Sequence, residues 1–184
     1  MFIRLASKLE RGSIVDGQGI RAVVWTQGCP HNCPMCHNPE THDYEGGFLE
    51  DVNELKREIN SLDSEVGVTL SGGDPFVQPE ACFEIAKYCH SINLNVWCYT
   101  GYTYEQLLKK STDDPAIMDF LKEIDVLVDG RFIYKLRSLE AKFRGSKNQR
   151  LIDVKKTLDS GKVVLFDLND DNKIKKHKDE KVYI

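Results

Sequence analysis

Residues 19–42 read GIRAVVWTQGCPHNCPMCHNPETH. The stretch changes character halfway. GIRAVVW at 19–25 is rich in branched and aromatic residues, and a loop with cysteines at 29, 33 and 36 follows it. A short apolar run of this kind predicts a buried strand. Ligands in parallel α/β folds bind beyond the carboxyl ends of the strands, so a strand that opens directly into a loop of reactive side chains points to that class.

The same pattern recurs along the chain. VGVTL at 66–70 leads into SGGDP, LNVWCY at 94–99 into TGY, and DVLVD at 125–129 into DGRF, while KVVLF at 162–166 is a weaker strand signal. Helical patterns lie between them. DVNELKREINSL places Val52, Leu55, Ile59 and Leu62 on one face, and PEACFEIAKYCHSI does so with Cys82, Ile85, Cys89 and Ile92, starting at Pro79. Further short helices are predicted over 103–110 and 115–123. Alternating strands and helices imply right-handed parallel crossovers. The steps from Val66 to Asn95 and from Asn95 to Ile124 are each 29 residues, one strand, one helix and two loops. The first step, from Ile20 to Val66, is 46 residues, so the unit with the cysteines carries an insertion. A complete eight-unit barrel needs about 250 residues. A chain of 184 therefore predicts a partial, open TIM-type barrel of parallel β/α units or an open sheet. The expected organisation is one domain over 1–184, with the cysteine loop at 28–42 and a charged tail from about 168 to 184.

Composition narrows the function. The formal net charge of −4 argues against a nucleic-acid binder that works by neutralising phosphates. The opening MFIRLASKLERGS has no apolar signal core, and no run approaches the length of a membrane span. Six unevenly placed cysteines do not make the framework of a small secreted domain, so reduced thiols and a cytoplasmic location are expected, with no membrane partner.

Cys29-x3-Cys33-x2-Cys36 puts three soft thiolates on a short turn restricted by Pro30 and Pro34, which suits zinc or an iron–sulfur cluster. A zinc-binding interaction module would recruit His31, His37 or His42 as the fourth ligand. A redox pair would use only Cys33-Pro34-Met35-Cys36. Neither accounts for three cysteines together with the glycine loops downstream. A four-iron cluster held by three cysteines leaves one iron open to a small molecule. Cys82, Cys89 and Cys98 are too far apart for a second cluster and suit the core.

The cysteine spacing resembles the signature of the radical S-adenosylmethionine (SAM) enzymes, and SGGDP resembles their GGE-type loop. DGQGIRAVVWTQGCPHNCPMCHNPETHD at 16–43 is similar to the activating enzymes of glycyl-radical proteins. LSGGDP at 70–75, WCYTGY at 97–102, VLVDGRF at 126–132 and FRGSKNQRLIDV at 143–154 resemble the group that activates anaerobic ribonucleotide reductase. The resemblance covers residues 12–154 and implies a radical SAM core, a [4Fe–4S] cluster and SAM as cofactors, and a large glycyl-radical subunit as protein substrate. It also implies a low-potential electron donor. A formate-lyase type partner or a small-molecule substrate is the alternative within the same chemistry.

Residue by residue, the resemblance makes Cys29, Cys33 and Cys36 the cluster ligands and the catalytic centre. The open iron would chelate the SAM amino and carboxylate groups, and one electron would cleave the sulfonium to methionine and a 5′-deoxyadenosyl radical. Met35 would flank the adenine, and His37 would order the cluster loop. Gly72 and Gly73 would bring backbone close to the SAM ammonium, beside Asp74, which stands where glutamate is common. Thr100, Asp129 and Arg131 would contact ribose or carboxylate. Asp16, Gly17, Gly19 and Arg21, with Arg144 of FRGSKNQR, would face the partner. The tail segment DDNKIKKHKDEKVYI reads as a solvated charge run.

Overall fold

The computed structural model describes residues 1–169, and the segment 170–184, most of the charged tail, lies outside the described residues. Along the chain run β1 (Phe2–Leu5), β2 (Glu10–Ser13), β3 (Arg21–Thr26), β4 (Phe48–Asp51), α1 (Val52–Asn60), β5 (Gly67–Gly72), α2 (Pro79–Ser91), β6 (Asn95–Tyr99), α3 (Tyr104–Lys110), α4 (Pro115–Lys122), β7 (Val126–Asp129), β8 (Arg150–Asp153) and α5 (Val154–Ser160). Four of the five helices start where a side chain satisfies a first-turn amide, and α2 starts at Pro79 without such a cap. Asp51 caps α1, Thr103 and Gln106 form a capping box on α3, and Asp114 caps α4 ahead of Pro115.

β3, β5, β6 and β7 pair in parallel in that order, with Val24 opposite Leu70 and Leu70 opposite Cys98. These are the four strongest strands of the sequence pattern. The sheet as a whole is mixed, because β1 and β4 add antiparallel strands beyond β3 and β8 adds one beyond β7. The result is an open sheet whose central run of four strands is parallel and whose outer strands are antiparallel. The insertion inferred in the first step holds β4 as well as the cysteine loop. KVVLF is not a strand of its own: it meets β8 through one isolated bridge, Ile152 to Leu165. α5 carries no strong apolar stripe in sequence, and Asp153 and left-handed Gly161 define its ends.

Strand residues alternate between two faces. Val24, Leu70, Val96, Cys98 and Leu127 point into the main core with Leu55, Ile59, Ile85 and Phe120 of the helices. The opposite face is different. Trp97, Val126, Val128 and Leu151 form a smaller cluster there, with Phe143 and Phe166 edge-on to Trp97. Arg21 shares that face and is fully buried. Its guanidinium donates to Thr69 Oγ1 at 2.6 Å, Asn95 Oδ1 at 2.7 Å and the Val68 carbonyl at 2.8 Å. Gly17 lies against it: a Cβ there would sit 2.8 Å from Arg21 Cδ and 2.9 Å from the Trp97 ring. The Asp16–Gln18 segment thereby fills the sheet face that the helices leave open.

Candidate metal centre and cofactor cavity

The loop after β3 is closed at its base by backbone pairing. Gly28 N–H donates to the Thr41 carbonyl at 2.8 Å and Cys29 N–H to the His42 carbonyl at 3.2 Å. Gln27 braces the base from below, donating from Nε2 to the Asp43 carbonyl at 2.6 Å. Inside the loop, Cys36 N–H donates to the Cys33 carbonyl, and Asn32 and Met35 take left-handed backbone. A tight loop of this kind turns Cys29, Cys33 and Cys36 toward one open cavity of about 260 Å³. The other walls are Ser71–Gly73 after β5, Tyr99–Gly101 after β6, and Gly130 after β7. All four strand-end loops singled out in sequence meet there.

The glycine loop packs tightly against the cysteine loop. Gly73 N–H donates to the Thr26 carbonyl and Asp74 N–H to the Gly28 carbonyl, which zips β5's exit onto β3's exit. A Cβ on Gly73 would lie 2.3 Å from Gly28 O, and one on Gly72, at φ +98°, 2.6 Å from Thr26 O. The two glycines let the SGGDP and cysteine loops touch through their backbones.

Asp74 has no exposure and no free oxygen toward the cavity. Oδ2 accepts from Thr100 Oγ1 at 2.8 Å and Gly101 N–H at 3.0 Å, and it lies 2.7 Å from His31 Nε2; Oδ1 accepts from Phe76 N–H. The expectation of a direct cofactor contact for Asp74 is corrected to a buried tie between three loops. Thr100 lines the cavity while its hydroxyl is engaged by Asp74.

Several other expected site residues turn elsewhere. Met35 is exposed and is not part of the cavity wall, since its left-handed backbone swings it outward. Asp129 is buried and binds Arg150, with Nε at 2.9 Å, and accepts from Tyr104 N–H at 2.8 Å. Arg131 donates to the His31 carbonyl, so it ties loops together. Arg21 offers a partner no surface. Gly17 is packed under it, whereas Gly19 is exposed. Arg144 donates to the Gln149 carbonyl. Asp16 lines the cavity with Trp25 and Tyr99 and accepts from Ser13 Oγ; burial pushes its carboxyl up. His37 lines the cavity and packs on Phe132 at 4.8 Å between ring centroids. The sequence does not show the loop-tying roles of His31, Gln27 and Arg150, which long-range hydrogen bonds create, or that of Phe132, which comes from its ring contact with His37.

The thiol chemistry suits an iron–sulfur cluster, although among the described residues the cysteines are not gathered into a ready-made metal site. Three thiols face one cavity, and Cys82, Cys89 and Cys98 are fully buried in the core, away from it. Burial pushes the Cys29 thiol up to about 11 and raises Cys36 as well, so both thiols are neutral at pH 7.

A family model described as "4Fe-4S single cluster domain" matches residues 15–152. That match gives the class: a protein built around one four-iron, four-sulfur cluster. The chain is 33% identical over 153 residues to the anaerobic ribonucleoside-triphosphate reductase-activating protein of Escherichia coli K12, covering 74% of this chain and 90% of that one. It is 32% identical to the protein of the same name from Enterobacteria phage T4, covering 74% and 86%. It is also 36% identical over 126 residues to the pyruvate formate-lyase-activating enzyme of Clostridium pasteurianum, covering 64% and 52%. The chain belongs to the 4Fe–4S single cluster family and, within it, to the anaerobic ribonucleoside-triphosphate reductase-activating proteins.

Proposed function

We propose that the chain is a radical SAM activase that installs a glycyl radical on the large subunit of an anaerobic ribonucleoside-triphosphate reductase. The observation that carries this reading is the convergence of Cys29, Cys33 and Cys36 on a cavity walled by the Ser71–Gly73 and Thr100–Gly101 loops. The relatives' names point the same way. Cys29, Cys33 and Cys36 would hold the cluster, and the four parallel strands with their crossover helices would be its partial-barrel scaffold. Bound at these cysteines and reduced, the cluster would supply the single electron for reductive cleavage of SAM, and the cavity would hold SAM beside the glycine Cα that loses its hydrogen atom.

The chain's own residues bind, orient and exclude water. Gly72 and Gly73 keep the cavity wall free of side chains. Asp74 and His31 hold the cysteine loop against the Thr100 loop, and His37 with Phe132 narrows the mouth beside Cys36. The expected setting is the cytoplasm, with a low-potential electron donor. Among the described residues no helix is long and apolar enough to cross a membrane.

The test mixes anaerobically reconstituted, reduced protein with SAM and the reductase subunit and records the electron paramagnetic resonance spectrum. A glycyl-radical signal is expected, with 5′-deoxyadenosine formed and both lost in Cys33→Ala. Stoichiometric zinc and no SAM cleavage would sink the reading. A second reading, activation of a formate-lyase type enzyme, is favoured by the Clostridium relative. Offering both enzymes in parallel separates the two.

A further inference from the structure

Residues 131–150 carry seven of the chain's 25 basic residues and one of its 29 acidic ones. That is a formal +6 on 20 residues in a chain of −4, which leaves −10 on all the rest. The segment is a strap with its own internal fastenings. Gln149 Oε1 accepts from Gly145 N–H at 2.9 Å and Ser146 N–H at 3.1 Å, and its Nε2 donates to the Gly130 carbonyl at 3.0 Å. Asn148 Nδ2 donates to the Arg131 carbonyl at 2.8 Å, Ser146 Oγ accepts from Ile133 N–H, and Tyr99 Oη donates to the Phe143 carbonyl at 2.9 Å. The polar residues of FRGSKNQR thus hold the strap in shape, which leaves its other side chains free to face outward.

What faces outward is mixed basic and apolar. Lys135, Arg137, Lys142 and Lys147 are exposed and make no ion pair among the described residues. Leu139 is 93% exposed, with Tyr134, Ile133 and Leu136 also open to solvent. The strap is also one wall of the cavity, through Phe132, Gly145 and Gln149, and Arg131 joins it to the cysteine loop. A protein that delivers a backbone glycine into this cavity must cover the strap as it enters. Apolar anchors among charges mostly of one sign, here broken by the exposed Glu140, are what a complementary interface uses, with charge setting the approach and apolar contact the grip.

We infer that the 131–150 strap is the docking surface for an acidic face of the protein substrate, steering it onto the cavity mouth. This rests on the activase reading. The cationic patch sits on an otherwise acidic molecule, so the field selects an acidic partner and orients it toward the cavity.

The test uses the full chain with its cluster reconstituted and the large subunit of an anaerobic ribonucleoside-triphosphate reductase as probe. Affinity is measured at salt from about 50 to about 200 mM. Lys135→Glu/Arg137→Glu/Lys142→Glu is expected to weaken binding about tenfold or more and to flatten its salt dependence. SAM cleavage without partner should be unchanged, and the corresponding triple alanine variant should lie in between. Tight binding that both variants leave unchanged, with their fold intact by circular dichroism, overturns the strap alone. Wild-type protein that neither cleaves SAM nor binds the subunit overturns the activase reading as well. The inference also falls if the variants lose only self-association, or only binding of a labelled oligonucleotide.

Discussion

His31 Nε2 lies 2.7 Å from Asp74 Oδ2, joining a residue inside the cysteine loop to one at the exit of β5. The same carboxylate holds the Thr100 hydroxyl and the Gly101 amide, so one buried group fastens the exits of three strands. A Cβ on Gly101 would lie 2.3 Å from the His31 ring, so the pair is held from above as well. Asp74→Ala strands several buried donors and is expected to lower stability by about 2–4 kcal/mol. His31→Ala removes one bond and should cost less while loosening the cysteine loop. Chemical denaturation measures the first effect, and iron retained after gel filtration measures the second.

The six cysteines divide by depth. Cys33→Ala or Cys36→Ala changes a half-exposed loop residue, so the melting temperature of the metal-free chain should barely move while iron–sulfide absorbance disappears. Cys82→Ala or Cys98→Ala removes a fully buried sulfur and should cost about 1 kcal/mol, with iron content kept. Iron analysis beside thermal melts separates the two groups. Iron lost from Cys82→Ala would contradict the division.

Gly73→Ala tests the contact between the two loops. Its new Cβ would lie 2.3 Å from a backbone oxygen that has no rotamer to escape through. The Gly28 and Gly73 backbones must part, at about 1–3 kcal/mol. Reconstitution should yield less bound iron than wild type, although all three cysteines remain. A variant with normal stability and iron would show that the loops can separate freely.

Arg21 stabilises the face opposite the helices. Burial lowers its guanidinium to about 9, which still leaves it charged at neutral pH among Thr69, Asn95 and backbone carbonyls. Arg21→Ala leaves those acceptors unpaired beneath Trp97 and is expected to cost about 3 kcal/mol or more. Arg21→Lys keeps the charge, loses the forked geometry and should recover only part of it. Urea denaturation of the three proteins gives the ranking.

His90 supplies a pH dependence far from the cavity. Its Nδ1 lies 2.9 Å from Glu123 Oε2 and its Nε2 3.0 Å from Asp125 Oδ2, so both nitrogens must carry protons to make both bonds. The hydrogen bond to Asp125 raises the imidazole above its ordinary 6.5, with Glu123 adding to it and partial burial opposing. The stabilisation is full below 6.5 and fades as pH rises through the raised folded value. The melting difference between wild type and His90→Gln should shrink with rising pH across that window. A difference constant across it would rule the contribution out.

Much of the scaffold was legible in the sequence because it depends on near neighbours. The apolar runs at 19–25, 66–70, 94–99 and 125–129 became the four parallel strands, and the faces of Val52–Ile59 and Cys82–Cys89 became buried helix stripes. The antiparallel strands β1, β4 and β8 were not legible. Each is four residues long, and each exists only because a sheet edge was there to pair with.

The sequence by itself determined that three thiols would sit beyond the first parallel strand, near three other strand exits, since register and alternation are local properties. Only the tertiary structure decided which polar residues face the cavity and which hold it together. Asp74, Asp129, Arg131 and Arg21 all looked like ligand or partner residues. Folding gave them His31, Arg150, the His31 carbonyl and Asn95 instead. A buried charge must find its partner inside the protein, and that partner can be any residue the fold brings near, 74 positions away for Arg21 and Asn95.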